Sequence, residues 1–371
     1  MSAEPPPSDP LGAAVRAALA RVQDPELRRP LTELDMVRSI SVEDGTARVE
    51  LRLTIVGCPA ADAIERDARA AVAAVPGVEA VELELGVMTP AEREALTARL
   101  RGERPNPFGP DSLTRVIAVS SGKGGVGKST VTVNLAAALA ARGLSVGLLD
   151  ADVFGFSIPG LLGIAGARPT QVGDLILPPR AHELAAISIG MFVEPGTAVS
   201  WRGPLLHRTV QQFLTDVHWG ALDVLVVDLP PGTGDVAISL GQLLPQAEVV
   251  VVTTPQAAAA EVAERSAVVA RQTGQTVVGV VENMSGLPQP DGSVLELFGA
   301  GGGAELAGRL GVPLLGQLPL SPVLRADGDA GTPVVIAHPD DPAAAALERI
   351  AERLATRERG LAGRPLPFSP R

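Results

Sequence analysis

The sequence predicts an α/β protein in which a parallel-sheet domain is preceded by a small α+β domain. Three observations predict it. Strands in the first hundred residues alternate apolar and polar positions, as one-face-buried strands do. From residue 113 the apolar runs become continuous, as strands covered on both faces of a parallel sheet require. Between the first such run and an alanine-rich segment stands a glycine-rich octapeptide, GKGGVGKS, at 122–129.

The elements follow in order. MSAEPPPSDP, residues 1–10, is acidic and proline-rich and is read as a disordered tail. LGAAVRAALARV (11–22) sets Val15, Leu19 and Val22 on one helical face. In TARVELRLTI (46–55), Val49, Leu51, Leu53 and Ile55 face one way and Arg48, Glu50, Arg52 and Thr54 the other, which is a half-buried strand. GCPAADAIERDARAAVAAVPG (57–77) stacks Ile64, Ala68, Val72 and Val75 as a helix, and GVEAVELELGV (77–87) alternates again. These make a small α+β domain over 11–100. RGERPNPFGPDS (101–112), rich in Pro, Gly and charge, reads as a linker.

The second domain spans 113–371. LTRVIAVSS (113–121), LSVGLLD (144–150), LDVLVVD (222–228), AEVVVVTT (247–254) and QTVVGVVEN (275–283) are its buried strands. DPAAAALERIAERLATRER (341–359) is a closing amphipathic helix with Ala343, Leu347, Ile350 and Leu354 on its apolar face. That face has no aromatic residue and the helix no lysine, so it is a core-packing helix and not a membrane anchor.

Composition excludes several functions. The formal charge of −11 argues against a sequence-independent nucleic-acid binder. No apolar stretch is long enough for a membrane span, and the first residues lack the basic and apolar regions of a signal peptide. A single cysteine, Cys58, excludes an intramolecular disulfide framework. The expectation is a cytoplasmic protein with no nucleic-acid or membrane partner. His182, His207, His218 and His338 show no metal-ligand spacing.

Residues 122–129 match G-x-x-x-x-G-K-[ST] in the context that motif needs, after a buried strand and before a helix at 131–142. Gly122, Gly124, Gly125 and Gly127, with Val126 between the last two, let backbone N–H groups approach phosphate oxygens. The helix beyond Thr130 turns its positive end to the same anion. Lys128 would reach the β- and γ-phosphates of ATP, and the Ser129 hydroxyl would ligate Mg²⁺. Lys123 and Lys128 are the only lysines; every other basic residue is arginine, whose broad fork fits a tight loop poorly.

Acidic residues end two further strands, where a doubly wound sheet gathers ligands. LLDADVFG (148–155) carries Asp150 and Asp152, and LVVDLPPGTGD (225–235) carries Asp228 and then Gly232. Asp228 is the candidate to hold Mg²⁺, Asp150 to orient the metal shell and Asp152 to position the attacking water. The Gly232 N–H could sense the γ-phosphate, so that hydrolysis moves its loop.

KGGVGKS resembles the deviant Walker A motif of the class containing MinD, ParA and the nitrogenase iron protein. The resemblance implies a homodimer, with Lys123 crossing to the nucleotide of the other subunit and Asn283, in VVENM, hydrogen-bonding adenine. The longer stretches SGKGGVGKSTVTVNLAAALA, DADVFGFSIPGLLG, VVDLPPGTGDVAISL, VVENMSG, FGAGGGAELA and PLLGQLPLSPVLRADGDAGTPVV resemble the bacterial Mrp/ApbC family. That implies a P-loop ATPase that passes iron–sulfur clusters to apo iron–sulfur proteins or works with assembly factors. DPEL (24–27) and TIVGCPAAD (54–62) resemble the SufT/PaaD-like assembly domain often fused in front.

This chain departs from the Mrp/ApbC pattern twice. Phe156 stands where that family usually has Pro, with little consequence expected. More seriously, GLPQPDGSVLEL (286–297) lacks the C-x-x-C pair that would bind a dimer-bridging cluster, and reads as a β-hairpin turning at PDGS. Cys58, before Pro59 at an expected helix start, is left as a candidate thiolate or iron–sulfur ligand. A nucleotide-switched positioning protein of the MinD/ParA type, or a scaffold without a cluster, is the alternative. The positioning role would need a basic amphipathic tail or a basic patch, and neither is present.

Overall fold

The computed structural model describes residues 10–55, 58–101, 107–109, 111–193 and 203–357. The expected tail at 1–9 lies outside the described residues, and Pro10, its last expected residue, already belongs to a helix.

The N-terminal unit runs α1 (Pro10–Leu19), β1 (Val37–Glu43), β2 (Thr46–Leu53), α2 (Ala61–Ala73), β3 (Ala80–Val87) and α3 (Pro90–Arg101). Its three-stranded sheet has the order β1-β2-β3. β1 and β2 pair antiparallel across Asp44–Gly45, where φ is 47° and 75°. Two positive φ values in a two-residue loop match the twist of a hairpin, and Asp-Gly tolerates them. β2 and β3 pair in parallel, with α2 crossing between them. The alternation read in β2 is obeyed up to its last residue, with Ala47, Val49, Leu51 and Leu53 buried against Ile64, Ala68 and Val72 of α2. The strand ends at Leu53, however, and beyond it Thr54 is buried and Ile55 half-buried, the reverse of the expected faces.

The second unit runs β4 (Arg115–Ser121), α4 (Lys128–Ala141), β5 (Val146–Asp150), α5 (Ile158–Leu161), β6 (Thr170–Val172), β7 (Leu175–Leu177), β8 (Arg180–Ala181), β9 (Leu184–Ser188), α6 (Gly203–Thr215) and β10 (Val224–Asp228). It continues α7 (Asp235–Leu243), β11 (Glu248–Thr253), α8 (Ala257–Gln272), β12 (Thr276–Asn283), β13 (Leu287–Pro288), β14 (Val294–Leu295), α9 (Gly302–Leu310), β15 (Leu314–Leu318), α10 (Pro322–Ala330), α11 (Val334–Ala337) and α12 (Pro342–Ala355). The eight-stranded sheet has the order β15-β12-β11-β4-β10-β5-β9-β8. Every neighbouring pair is parallel except β8 with β9 at the edge. The five apolar runs are its five central and near-central strands, and helices cover both faces.

The apolar face read for α12 (Ala343, Leu347, Ile350 and Leu354) is wholly buried. Pro342 opens that helix, and the Asp341 carboxylate caps it by accepting from Ala343 N at 2.8 Å. α4 is buried almost all round between the sheet and α12, so it shows no amphipathic stripe. The expected hairpin at 286–297 is present as β13 and β14, with Gly292 at φ 84° in its turn.

Two features join the units. The β6–β7 hairpin sends Val172, Leu175 and Leu177 into the N-terminal core beside Val15, Met36 and Leu96. The Thr170 hydroxyl donates to Glu26 Oε1 at 2.7 Å, and the Thr97 hydroxyl to the Val172 carbonyl at 3.2 Å. The stretch 101–112, expected as a linker, is anchored at its far end. Phe108 is buried in the core of the second unit, edge-on to Trp219 with ring centroids 6.3 Å apart, and its carbonyl accepts from Gln246. Residues 102–106 and 110 of that stretch lie outside the described residues.

Candidate nucleotide site

β5, β10 and β4 are neighbours, with Asp150 level with Asp228 and Asp228 level with Val119. Parallel pairing therefore brings the loops after three strands to one crevice at the carboxyl ends of the sheet. The cavity there holds about 620 Å³ and is lined by Lys123, Gly124, Gly125, Gly127, Lys128, Ser129, Thr130, Asp152 and Pro230 among others.

The loop needs its glycines for different reasons. Gly125 and Gly127 have φ of 79° and 80°, and Gly127 is the N-cap of α4. A side chain at Gly122 would overlap the backbone of Ala263 in α8, whereas one at Gly124 would meet nothing within 4 Å. Val126 is buried beneath the loop. Thr130 lies in the first turn of α4, and its carbonyl accepts from Asn134 Nδ2 at 2.9 Å.

Lys128 Nζ lies 2.6 Å from Asp228 Oδ2 and 3.6 Å from Asp152 Oδ2, with only 6% of its side chain exposed. Asp228 also accepts from the Ser129 hydroxyl at 2.6 Å and the Thr132 hydroxyl at 2.7 Å. Asp150 is fully buried and accepts from the Ser188 hydroxyl at 2.9 Å and Asp152 N at 3.2 Å. Burial first, and then the neighbouring Asp228, push the Asp150 carboxyl up to about 8. Burial raises Asp152 too, against the pull of Lys128. With Asp150 held mostly as the neutral acid near pH 7, the Asp152 and Asp228 carboxylates still face one ammonium and leave the cluster short of positive charge. The Ser129 hydroxyl and Asp228 carboxylate, hard oxygen donors 2.6 Å apart, fit a magnesium ion that would supply it.

The Gly232 N–H donates to the Ser121 carbonyl at 2.7 Å, at φ 87°, so its loop is docked on the end of β4. Asn283 is buried under the P-loop and donates through Nδ2 to the Val126 carbonyl at 2.9 Å. Its amide N–H, expected on adenine, holds the loop in this conformation. Lys123 is exposed and reaches away from its own loop, donating to Gln256 Oε1 at 3.2 Å. Phe156, where Pro was expected, lies against Gly190.

The thiolate reading of Cys58 is corrected. The residue is 6% exposed, packed in the N-terminal core, and precedes the start of α2 by three positions. Burial raises its thiol, the neighbouring acids Glu26 and Asp24 raise it further, and the Ala60 and Ala61 N–H groups only partly oppose this. Among the described residues no group of three or more His, Cys, Asp and Glu could hold a metal ion. Thr132, Ser188 and Gln256 join the site although no motif in the sequence marks them. Thr132 carried a signal: it stands one turn after Lys128, on the same helix face.

A family model described as NUBPL iron-transfer P-loop NTPase matches residues 112–355. The chain belongs to the NUBPL iron-transfer P-loop NTPase family. A second model, described as iron–sulfur cluster assembly protein, matches residues 12–83. The iron–sulfur cluster carrier protein of Mycobacterium tuberculosis is 58% identical over 97% of both chains. That of Escherichia coli K12 is 40% identical over 93% of this chain and 92% of its own. A solved nucleotide-binding protein in complex with ADP from Archaeoglobus fulgidus is 37% identical, with a TM-score of 0.54 over 61% of this chain and 89% of its own. The chain is thus a mixed α/β P-loop NTPase of an iron–sulfur carrier family with a small N-terminal domain. No helix among the described residues is long and apolar enough to cross a membrane.

Proposed function

We propose that this protein is a magnesium-dependent ATPase that works as a homodimer in the cytoplasm and drives the assembly of iron–sulfur clusters or their transfer to apoproteins. The observation that carries the reading is the pairing of Lys128 and Ser129 with Asp228 at the mouth of the P-loop. The loop N–H groups would bind the phosphates, and Lys128 would leave the carboxylates to follow the γ-phosphate. Ser129 and Asp228 would hold magnesium, which would supply charge stabilisation to the phosphates when bound. Asp152, on the cavity wall, would orient the attacking water. Gly232 would exchange its bond to Ser121 for one to the γ-phosphate, coupling hydrolysis to movement of the 229–234 loop. Lys123, free of its own loop, is available to the nucleotide of a second copy.

The chain's own residues do not fit a cluster. Four thiolates are the usual requirement, and two copies would bring two buried thiols. In our reading the thiolates therefore come from the partner that gives or receives the cluster, and this protein supplies the nucleotide-driven step. Anaerobic transfer from a cluster-loaded donor to an apo-ferredoxin, followed by visible circular dichroism, tests this. Transfer should quicken with ATP and magnesium in the wild type and not in Lys128→Ala. Transfer indifferent to both ATP and the variant would overturn the reading.

A further inference from the structure

A larger cavity, of about 870 Å³, lies far from the nucleotide site. It is bounded by Ser145 and Val146 at the start of β5 and by residues 219–222 before β10, the amino-terminal edge of the sheet. Nucleotide and switches sit at the carboxyl edge. Both units build this cavity: Arg28 and Arg29 come from the N-terminal unit, and Arg180 and His218 from the second.

Its polar lining has one sign. Three guanidiniums face a single carboxylate, Glu183, which is ion-paired with Arg28. Arg29 and Arg180 have no acidic hydrogen-bonding partner among the described residues, and Arg180 Nε is buried with no partner at all. Arg180 is half-buried and shares the Glu183 charge with Arg28, so its buried Nε–H and the exposed Arg29 leave donors free for an anion. Burial and then the nearby Arg28 lower the affinity of Arg180 for its proton, and Glu183 only partly offsets them. Burial, Arg29 and Arg180 hold His218 down at about 4, so its ring is neutral at pH 7 and offers one N–H. Leu27, Leu175, Val217 and Leu222 form the apolar part of the wall, beside Ser145 and Thr215. A volume in the hundreds of Å³ with a few convergent polar groups is the form of a small-molecule site.

We propose that this cavity binds an organic phosphate monoester, its phosphate held by Arg29, Arg180 and His218 and its body by the apolar wall. The excess of two positive charges matches the dianion that such a phosphate carries near neutral pH. Because the ligand would touch both units, it ties the N-terminal domain to the ATPase domain. It does so where α4 ends and β5 begins, the two elements that lead to the P-loop and to Asp150.

Calorimetric titration with phenyl phosphate tests this, with the P-loop filled beforehand by magnesium and a non-hydrolysable ATP analogue. One site per chain is expected, with inorganic phosphate weaker and citrate weaker still. The His218 ring resonance, one of four in the protein, should shift on binding. Arg29→Glu lies on the surface and should fold; it should weaken binding about tenfold or more, as should Arg180→Gln. No binding at millimolar phenyl phosphate overturns the proposal. So does wild-type affinity in Arg29→Glu, and so does citrate binding as tightly as the monoester. Because the P-loop is filled in every titration, these outcomes do not depend on ATP turnover or cluster transfer.

Discussion

Lys128 is the residue on which most of the site depends. It is the one ammonium beside Asp152 and Asp228, so removing it leaves those two carboxylates without a counter-charge. Lys128→Ala should therefore lose nucleotide turnover by about a hundredfold or more and also lower the stability of the nucleotide-free protein by about 3 kcal/mol. Denaturant melts should show magnesium restoring more stability to this variant than to the wild type, because the cation replaces the missing charge. A variant whose melt is unmoved by both changes would contradict the charge-short cluster. Asp152→Ala should bind nucleotide normally, as measured by fluorescence of a labelled ATP, yet turn it over slowly. The same scale shows what a single residue type can hide. Cys58 before Pro59 reads as a reactive thiol, but its burial and its acidic neighbours hold it in the thiol form.

Among the elements, the β6–β7 hairpin has the largest consequence. It belongs to the second unit in sequence and to the first in packing. Leu175, 2% exposed in that shared core, should cost about 2–5 kcal/mol as Leu175→Ala and should expose the N-terminal unit to protease. An unchanged digestion pattern would mean that the hairpin does not hold the units together. His218 follows the end of α6 and gives the interface a pH dependence. Its pKa is about 4 when folded against 6.5 for the free side chain, so the unfolded chain takes up the proton first. The stabilisation is complete above pH 6.5 and is lost as pH falls toward 4. The ceiling is about 3 kcal/mol. In ligand-free protein, His218→Gln should melt with a flatter pH profile across that window, and parallel profiles would refute this.

For the whole molecule, the position of Lys123 matters most. It lies at the mouth of the cavity, exposed and bonded to Gln256 rather than to its own loop. Lys123→Ala should bind nucleotide as well as the wild type but lose ATP-dependent dimerisation and turnover. Light scattering with and without a non-hydrolysable analogue reads the first, and phosphate release the second. Dimers that persist in the variant, with full activity, would place the lysine outside the mechanism. The same view explains how the two lysines differ. Lys128 is buried among acids in its own subunit, and Lys123 is turned to solvent.

The sequence by itself determined the parallel sheet, its five buried strands, the phosphate loop and the acids that follow β5 and β10. Local rules suffice for these. A strand covered on both faces must be continuously apolar, and a loop that wraps phosphate needs glycine and a slender cation at set spacings. The same local signals were present for β1, through the Asp44–Gly45 turn, and for Thr132 one turn into α4. Only the tertiary structure decided the rest. Short edge elements such as β8, β9 and the β6–β7 hairpin have little periodicity, because their burial comes from distant partners. Phe108 looked like part of a linker until Trp219 was placed beside it. The basic cavity draws Arg28, Arg29, Arg180 and His218 from stretches far apart in the chain. Their shared positive field exists only after the two units have closed on each other.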